Sequence, residues 1–218
     1  MHLTHELSKK NARELGLYWF WSHLSGHILC VLNPNRHQME YKNIADSQLV
    51  MTQLMLPSHS NFSGYVHGGY VLSLMDQVAF VCASKHSGHY CVTASVNKVD
   101  FLNPIEVGNL LTLKGSVNYT GRTSMVVGLR VESENIETGE VIHCNSSYFT
   151  MVAKDDDGKS VPVPGLILDT EDSVRRFSRS IKRQKQGKQR RESFQTSEFK
   201  LEENIEKLKN QNALVKLK

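Results

Sequence analysis

Hydrophobic and polar positions follow two different periods along this chain. Between residues 64 and 85, apolar side chains recur at three- and four-residue spacing, which predicts one long helix. β-type runs predict one strand that begins near Gln48 and four strands after the helix, over residues 91–101, 110–119, 124–134 and 141–153. The predicted order is therefore one strand, one long helix and four antiparallel strands.

The predicted helix is apolar on nearly all of its sides, so most of it has to be buried. A sheet of five antiparallel strands that curves around the helix would achieve that burial. The sequence therefore predicts an α+β protein with the hot-dog fold, in which a curved antiparallel sheet wraps around one long central helix. The open edge of such a sheet and the apolar residues from Tyr65 to Tyr70 favour pairing with a second copy.

The two ends of the chain differ from this central part. Residues 42–165 are predicted to form the compact domain and residues 1–41 an N-terminal extension, in which Met39 is a candidate for the true start of the protein. The remaining segment, residues 166–218, is basic. Residues 170–218 contain 14 Lys and Arg against 7 Asp and Glu, a net charge of +7, whereas residues 1–169 have a net charge of −3. With few large apolar residues, this tail is predicted to be disordered or partly helical.

Several kinds of site are disfavoured. The four cysteines are widely spaced and form no Cys-x-x-Cys pair, so neither a zinc site nor a disulfide framework is predicted. The histidines show no ligand pattern, and we expect no metal. The longest apolar stretch is interrupted by Ser22, His23, Ser25 and His27, and no signal-peptide cleavage motif follows it. A cytoplasmic protein is the prediction.

The single acid of the helix, Asp76, is the most informative residue, because burying an unpaired carboxylate among apolar side chains is costly. On a helix it shares one face with Gly69 and Ser73, and this face leads to the helix N-terminus. Free N–H groups at that terminus can stabilise negative charge, and glycines let a ligand approach the backbone. Asp76 is thus either a candidate base beside an anion cradle or a partly exposed, hydrogen-bonded helix residue.

The sequence resembles the acyl-CoA thioester hydrolases of the hot-dog superfamily. The resemblance covers about residues 42–165 and rests on segments that occur in order: MTQL at 51–54, GYVHGG at 64–69 with MD at 75–76, VTASV at 92–96, VDFLNP at 99–104, GRTSM at 121–125, and FTMVA at 149–153 followed by DGK and VPVP. It implies hydrolysis of an acyl-CoA to a free acid and CoA, with no metal and no cofactor, since CoA is part of the substrate. It also implies a homo-oligomer, either a dimer or a trimer of dimers.

The resemblance also implies roles for residues around the helix. Asp76 would act as general base or nucleophile, while the N–H groups of Gly68 and Gly69 from the facing subunit would stabilise the oxyanion. Some relatives carry an asparagine where this chain has Tyr65, so the orientation of the attacking water is open. Thr93 is a hydroxyl candidate by family position.

Two further positions are candidate contacts for the substrate. His67 would line the entrance to the site or cap the helix. Arg122, Thr123 and Ser124 lie at a strand entry where family members bind the CoA moiety, and an arginine suits a phosphate. By spacing alone, the same residues are an ordinary hairpin turn with a solvated arginine.

Two other functions compete with hydrolysis. A non-enzymatic acyl-CoA-binding module would use the basic tail to contact a partner, nucleic acid or a membrane, although no aromatic platform accompanies the basic residues. A hot-dog dehydratase or hydratase requires a histidine and an acid around the helix, and His67 stands there alone with no glutamate in the helix.

Overall fold

A computed structural model describes residues 17–19, 30–32, 40–196, 199–208 and 211–217. The chain divides into two compact units, Met1–Tyr41 and Lys42–Lys218. In the first unit, strand β1 (Leu17–Trp19) pairs antiparallel with strand β2 (Cys30–Leu32). The candidate start at Met39 lies outside the described residues.

The second unit is built on a five-stranded antiparallel sheet, as the sequence predicted. Its strands lie in the order β4 (Leu49–Leu54), β6 (Leu110–Thr120), β7 (Ser124–Glu134), β8 (Val141–Lys154) and β5 (Tyr90–Val96). Strands β4 and β5 form the two edges. The predicted strand at 91–101 ends early, at Val96, and the chain continues without regular structure until β6 begins at Leu110.

The central helix, α2 (Gly68–Ser87), packs on the inner face of this sheet. Its side chains at three- and four-residue spacing are fully or almost fully buried, among them Met75, Val78 and Cys82. Gly115 in β6 lets the helix approach, since a Cβ there would lie 2.7 Å from Val78 Cγ1 and 2.9 Å from Cys82 Sγ. The helix ends at Ser87, and the next residue, Gly88, has a left-handed φ of 73° that suits glycine.

Shorter elements complete the second unit. Strand β3 (Tyr41–Asn43) pairs with β9 (Gly165–Ile167) in a two-stranded sheet. A short helix, α1 (Ile44–Ser47), precedes β4, and a 3-10 turn (Pro57–His59) follows it. Among the described residues, no helix is long and apolar enough to cross a membrane.

The described part of the basic tail is largely helical. It forms helix α3 (Glu171–Thr196) and a shorter helix, α4 (Leu201–Leu208). Helix α3 packs on the sheet through one narrow face: Ser180 is fully buried, and the Phe177 ring lies 4.9 Å from the Tyr119 ring. The first half of α3 is therefore part of the folded unit, because one of its faces packs against the sheet.

Candidate active site

Asp76 lies on α2 and is held by a hydroxyl group of the edge strand β5. Thr93 Oγ1 donates a hydrogen bond of 2.5 Å to Asp76 Oδ1. No described residue donates to the second carboxylate oxygen, Oδ2, which is therefore available to a water molecule or a substrate. The pair is exposed in the single chain. An exposed, hydrogen-bonded carboxylate fits both interpretations of Asp76, so its role as a base stays a prediction.

The position of Thr93 depends on an irregularity in β5. Thr93 lies opposite Met151 in β8, whereas Ser95 lies opposite Thr150, so Ala94 is an extra residue in the edge strand. Such a bulge bends a strand and changes the direction of neighbouring side chains. Thr93 Oγ1 also lies 3.4 Å from Met151 Sδ, which limits its rotation.

The N-terminus of α2 is capped by its own histidine. His67 Nδ1 accepts a hydrogen bond of 2.9 Å from the Gly69 N–H group. Of the two positions predicted for His67, capping is the one observed. His67 thus engages the Gly69 N–H group, whereas the Gly68 N–H donates to no described residue. The role of both glycines as oxyanion donors stays a prediction. The Phe101 ring covers Gly68, where a Cβ would lie 3.3 Å from its Cζ atom.

The two halves of the predicted site are far apart within one chain. Gly68 and Asp76 are eight residues apart on one helix, which places them about 12 Å apart along its axis. A single carbonyl group cannot contact both. The stripe of α2 that carries Gly69, Ser73, Asp76 and Gln77 is exposed, whereas most of the helix is covered, as the sequence predicted.

The loop before α2 contains an asparagine that the sequence interpretation did not select. Asn61 Oδ1 accepts hydrogen bonds from the backbone N–H groups of Ser63, at 2.9 Å, and Tyr65, at 3.2 Å. These bonds fix the carboxamide group and leave its Nδ2 donor without a partner among the described residues. The Tyr65 side chain is 42% exposed. The residues next to Asn61 in the sequence form no pattern that would have identified it. Its distance of fifteen residues from Asp76 could have done so.

The Arg122 turn lies at the same end of the sheet as the Asp76–Thr93 pair. It joins β6 to β7, and Ser124 lies opposite Val152, which lies opposite Val92. Two strand spacings, about 10 Å, therefore separate Ser124 from β5. The turn is fixed by its backbone: Thr123 O accepts from Ala153 N at 3.1 Å and Arg122 O from Val163 N at 3.0 Å. The Arg122 side chain is exposed, and no described acid forms an ion pair with it.

In the part of the chain that the structure describes, no group of three or more His, Cys, Asp or Glu side chains could hold a metal ion. The described cysteines that are free thiols are Cys82, Cys91 and Cys144. Burial raises the pKa of the Cys82 thiol to about 11, so this thiol is a packing residue rather than a nucleophile.

Comparisons with known proteins agree with this architecture. Residues 63–140 match the model of the thioesterase superfamily. The protein VdlD of Helicobacter pylori is 46% identical over 137 residues, which cover 63% of this chain and 78% of that protein. The uncharacterized acyl-CoA thioester hydrolase YkhA of Bacillus subtilis is 33% identical over 150 residues, which cover 69% of this chain and 87% of that protein.

Solved structures of similar proteins share the fold. An apo-hexameric acyl-CoA thioesterase superposes with a TM-score of 0.68 at 39% identity, covering 70% of this chain and 97% of that one. The acyl-CoA hydrolase of Staphylococcus aureus was solved with butyryl coenzyme A, coenzyme A and coenzyme A disulfide. It superposes with a TM-score of 0.66 at 29% identity, and the match covers 77% of this chain and 98% of that one.

Variants of the S. aureus hydrolase give a further point of comparison. The solved variants replace by alanine an asparagine, an aspartate fifteen residues later, and a threonine seventeen residues after the aspartate. Asn61, Asp76 and Thr93 have the same residue types at the same two spacings. With its five-stranded sheet, central helix and these matches, the chain belongs to the acyl-CoA thioester hydrolases of the hot-dog thioesterase superfamily.

Proposed function

We propose that this protein hydrolyses acyl-CoA thioesters to a free carboxylic acid and CoA, with Asp76 as the catalytic carboxylate. The observation that carries the proposal is the 2.5 Å hydrogen bond from Thr93 Oγ1 to Asp76 Oδ1, at the spacing of the aspartate and threonine in the S. aureus variants. The bond orients the carboxylate and leaves Oδ2 free to accept a proton from water.

In this mechanism a water molecule held by Asp76 Oδ2 attacks the thioester carbonyl carbon. Asp76 takes the proton of that water, and the carbonyl oxygen becomes an oxyanion. The tetrahedral intermediate then expels the CoA thiolate as the carbon–sulfur bond breaks, and the proton passes to the thiolate. Direct attack by the Asp76 carboxylate is the alternative; it would form an anhydride that water then hydrolyses.

The oxyanion needs donors that Asp76 itself cannot supply. The free Gly68 N–H group at the positive end of α2 is one such donor. The unpartnered Nδ2 group of Asn61 is a second, and it provides the amide that the resemblance had placed at the position of Tyr65. Since Gly68 and Asp76 are about 12 Å apart within one chain, we propose that these donors come from a second copy.

A second copy would also cover the exposed surface around the site. Strand β5 is an open sheet edge. In the single chain Phe62 is fully exposed, and Phe101 and Leu102 are 50% and 58% exposed. Open edges and exposed aromatic side chains of this kind are typical of protein interfaces. A homo-oligomer built from dimers, like the hexameric relative, accounts for both features.

We assign the CoA part of the substrate to the turn at Arg122, Thr123 and Ser124. An exposed guanidinium group without an acidic partner can bind a phosphate, and the two hydroxyls can make polar contacts. The predicted cytoplasmic location is supported by the three free thiols at Cys82, Cys91 and Cys144. Because the His67 ring is used as a helix cap, a dehydratase with a catalytic histidine is disfavoured.

The test is release of free thiol from a panel of acyl-CoAs that differ in chain length. We expect turnover by the wild-type protein and a loss of at least about a hundredfold in Asp76→Asn, because the variant cannot take a proton. Asp46→Asn, an exposed acid in α1 away from the site, is the matched control. Absence of turnover on every chain length would reject the proposal and favour a non-enzymatic acyl-CoA-binding module.

The role of Thr93 is separable from that of Asp76. Thr93→Val removes the donor to Oδ1 at nearly constant volume, and we expect kcat to fall about tenfold, since one hydrogen bond to a charged group is lost. Thr93→Ser retains the hydroxyl and should retain most of the activity. Equal activity of the valine and serine variants would exclude a role for the hydroxyl.

A further inference from the structure

The outer face of the sheet carries a cavity that the proposed hydrolysis does not use. It has a volume of about 430 Å³ and lies between β4, β6, β7 and β8 on one side and helix α3 on the other. The size is that of a small-molecule site. We call it the arginine cleft, because its lining contains six cationic residues and no carboxylate: Lys114, Arg130, Arg175, Arg176, Arg179 and Arg183.

The arginine cleft and Asp76 lie on opposite faces of the sheet. Gly115 contacts Val78 and Cys82 of α2 on the inner face. Its neighbours in β6, Lys114 and Ser116, point to the other face because side chains alternate along a strand. A molecule bound in the cleft therefore cannot contact the carboxylate of the same chain.

Not all of these positive charges are free. Glu132 accepts hydrogen bonds of 2.6 Å from both Lys114 and Arg130. Asp172 forms ion pairs with Arg175 and Arg176. The charges of these four cations are therefore partly neutralised by protein carboxylates. The charges of the other two arginines are not.

The two remaining arginines are one helical turn apart. Arg179 forms no ion pair with any described residue, and the Arg183 guanidinium lies 3.5 Å from the ring centroid of Tyr148, with no acid beside it. Four residues on a helix correspond to about 6 Å along its axis. Two guanidinium groups at that separation match two linked phosphate groups better than a single one.

The floor of the cleft adds an unused hydrogen-bond donor. Asn118 is only 4% exposed, and its Oδ1 accepts a hydrogen bond of 3.2 Å from Ser116 Oγ. Its Nδ2 group donates to no described residue. That group occupies the space where Gly128 has no side chain, since a Cβ at Gly128 would lie 2.0 Å from it. A side-chain amide donor that no protein group uses can donate to a ligand or to water in the cleft.

We propose that the arginine cleft binds a small molecule that carries a diphosphate group, with Arg179 and Arg183 on the phosphates and Asn118 Nδ2 donating from the floor. Free pyrophosphate and the diphosphate of a nucleotide or of coenzyme A share this chemistry. The two arginines without an acidic partner attract such an anion, and the cavity admits a small molecule rather than a flat polymer surface.

The test is calorimetric titration of the full-length protein with sodium pyrophosphate, ADP, CoA and orthophosphate at constant ionic strength. We expect pyrophosphate to bind at least about tenfold more tightly than orthophosphate, because the second phosphate gains a charge-assisted bond. Tighter binding of ADP than of pyrophosphate identifies a nucleotide as the source, and equal affinities identify the diphosphate alone. Because the Arg122 turn is also proposed to bind CoA, only the CoA binding that Arg179→Glu removes counts for the cleft. Equal affinities for pyrophosphate and orthophosphate, or no binding, would overturn the proposal.

The decisive variant is Arg179→Glu, because the Arg179 side chain is exposed and makes no ion pair whose loss could unfold α3. We expect it to weaken pyrophosphate binding by at least about tenfold. Lys185→Glu, the same charge reversal on an exposed residue of α3 outside the cleft, should retain binding. Equal weakening by both charge reversals would mean unspecific attraction to a basic helix and would overturn the assignment. Loss of binding in Arg122→Glu but not in Arg179→Glu would place the diphosphate at the Arg122 turn and would overturn the assignment to the cleft.

Discussion

The two faces of the sheet are packed in opposite ways. On the inner face, α2 places fully buried side chains such as Met75 and Val78 against β6 and β7. On the outer face, α3 contacts the sheet through Phe177, two buried serines and the stacking of Arg183 on Tyr148. The inner contact is closely packed and mainly apolar, whereas the outer contact is polar and leaves a cavity.

This difference suggests a division of tasks between the two helices. The apolar inner contact fixes α2 in one position, so that its exposed stripe can hold Asp76 against Thr93. The polar outer contact contributes less to stability and leaves cationic groups accessible. We therefore expect substitutions on the inner face to affect folding strongly, and substitutions on the outer face to affect it weakly.

The largest expected difference is between two phenylalanines. Phe149 in β8 is fully buried, and Phe149→Ala should lower the free energy of unfolding by about 3–5 kcal/mol, through lost burial and a residual cavity. Phe177→Ala in α3 should cost roughly a third of that, because Phe177 is only partly buried. Urea denaturation measures both. Equal losses would mean that the outer helix belongs to the core as fully as α2.

Two glycines provide a matched pair of small substitutions. Gly115→Ala places a methyl group within 3.0 Å of Val78, Cys82 and Leu129, and should destabilise the protein by about 1–3 kcal/mol. Gly187→Ala in α3 meets no atom within 4 Å and should stabilise the helix by up to about 1 kcal/mol. Thermal unfolding of the two variants should therefore shift in opposite directions.

The burial of Cys82 predicts a dependence on alkaline pH. Burial favours the neutral thiol and raises its pKa in the folded protein from 9.0 to about 11. The folded state then gains stability that is complete below about pH 9 and is lost as the pH rises through 11. At pH 10 we expect about 1 kcal/mol to have been lost relative to pH 8. The free energy of unfolding of wild type and of Cys82→Ala, measured across pH 8–11, tests this loss. Parallel curves of unfolding free energy against pH would contradict it.

The smallest effect is expected on the outer face. Hydrogen bonds from Lys114 and Arg130 lower the pKa of Glu132. The resulting stability is present above the ordinary pKa of a glutamate and is lost as the pH falls through the lower folded value. Both cations are half exposed, with 50% and 52% of their side-chain surface accessible, so Glu132→Gln should cost about 0.2–1 kcal/mol at neutral pH. Denaturation at pH 7 and pH 3 tests this, and a larger loss would show that the polar face contributes as strongly as the apolar one.

The elements of the hot-dog fold could be predicted because their hydrophobic periods are strong. The long helix and the strands on either side of it bury apolar side chains, and burial is what those periods record. The contact face of α3 could not be predicted in the same way. It consists of Ser173, Phe177 and Ser180, which gives almost no hydrophobic signal, and its packing depends on the polar outer face of strands distant in the sequence.

The candidate site was predicted in part. Asp76 is conspicuous as the single acid in an apolar helix, and the resemblance supplied Thr93, but only the fold shows the bulged edge strand that brings the two together. The hydrogen bond from the Gly69 N–H group to His67 is a local contact, and the spacing of hydrophobic residues does not predict it. Asn61 was overlooked because it lies in an irregular loop, where neighbouring residues give no pattern.

The central claim is that Asp76 of one copy acts together with Asn61 of another. It is tested most directly by co-expressing Asp76→Asn and Asn61→Ala chains, each inactive alone, and measuring thiol release from an acyl-CoA by the mixed oligomers. In a mixed pair, one site would combine the intact Asp76 with the intact Asn61, so random pairing should restore about a quarter of the wild-type rate. A mixture no more active than its parents would contradict a site shared between two copies.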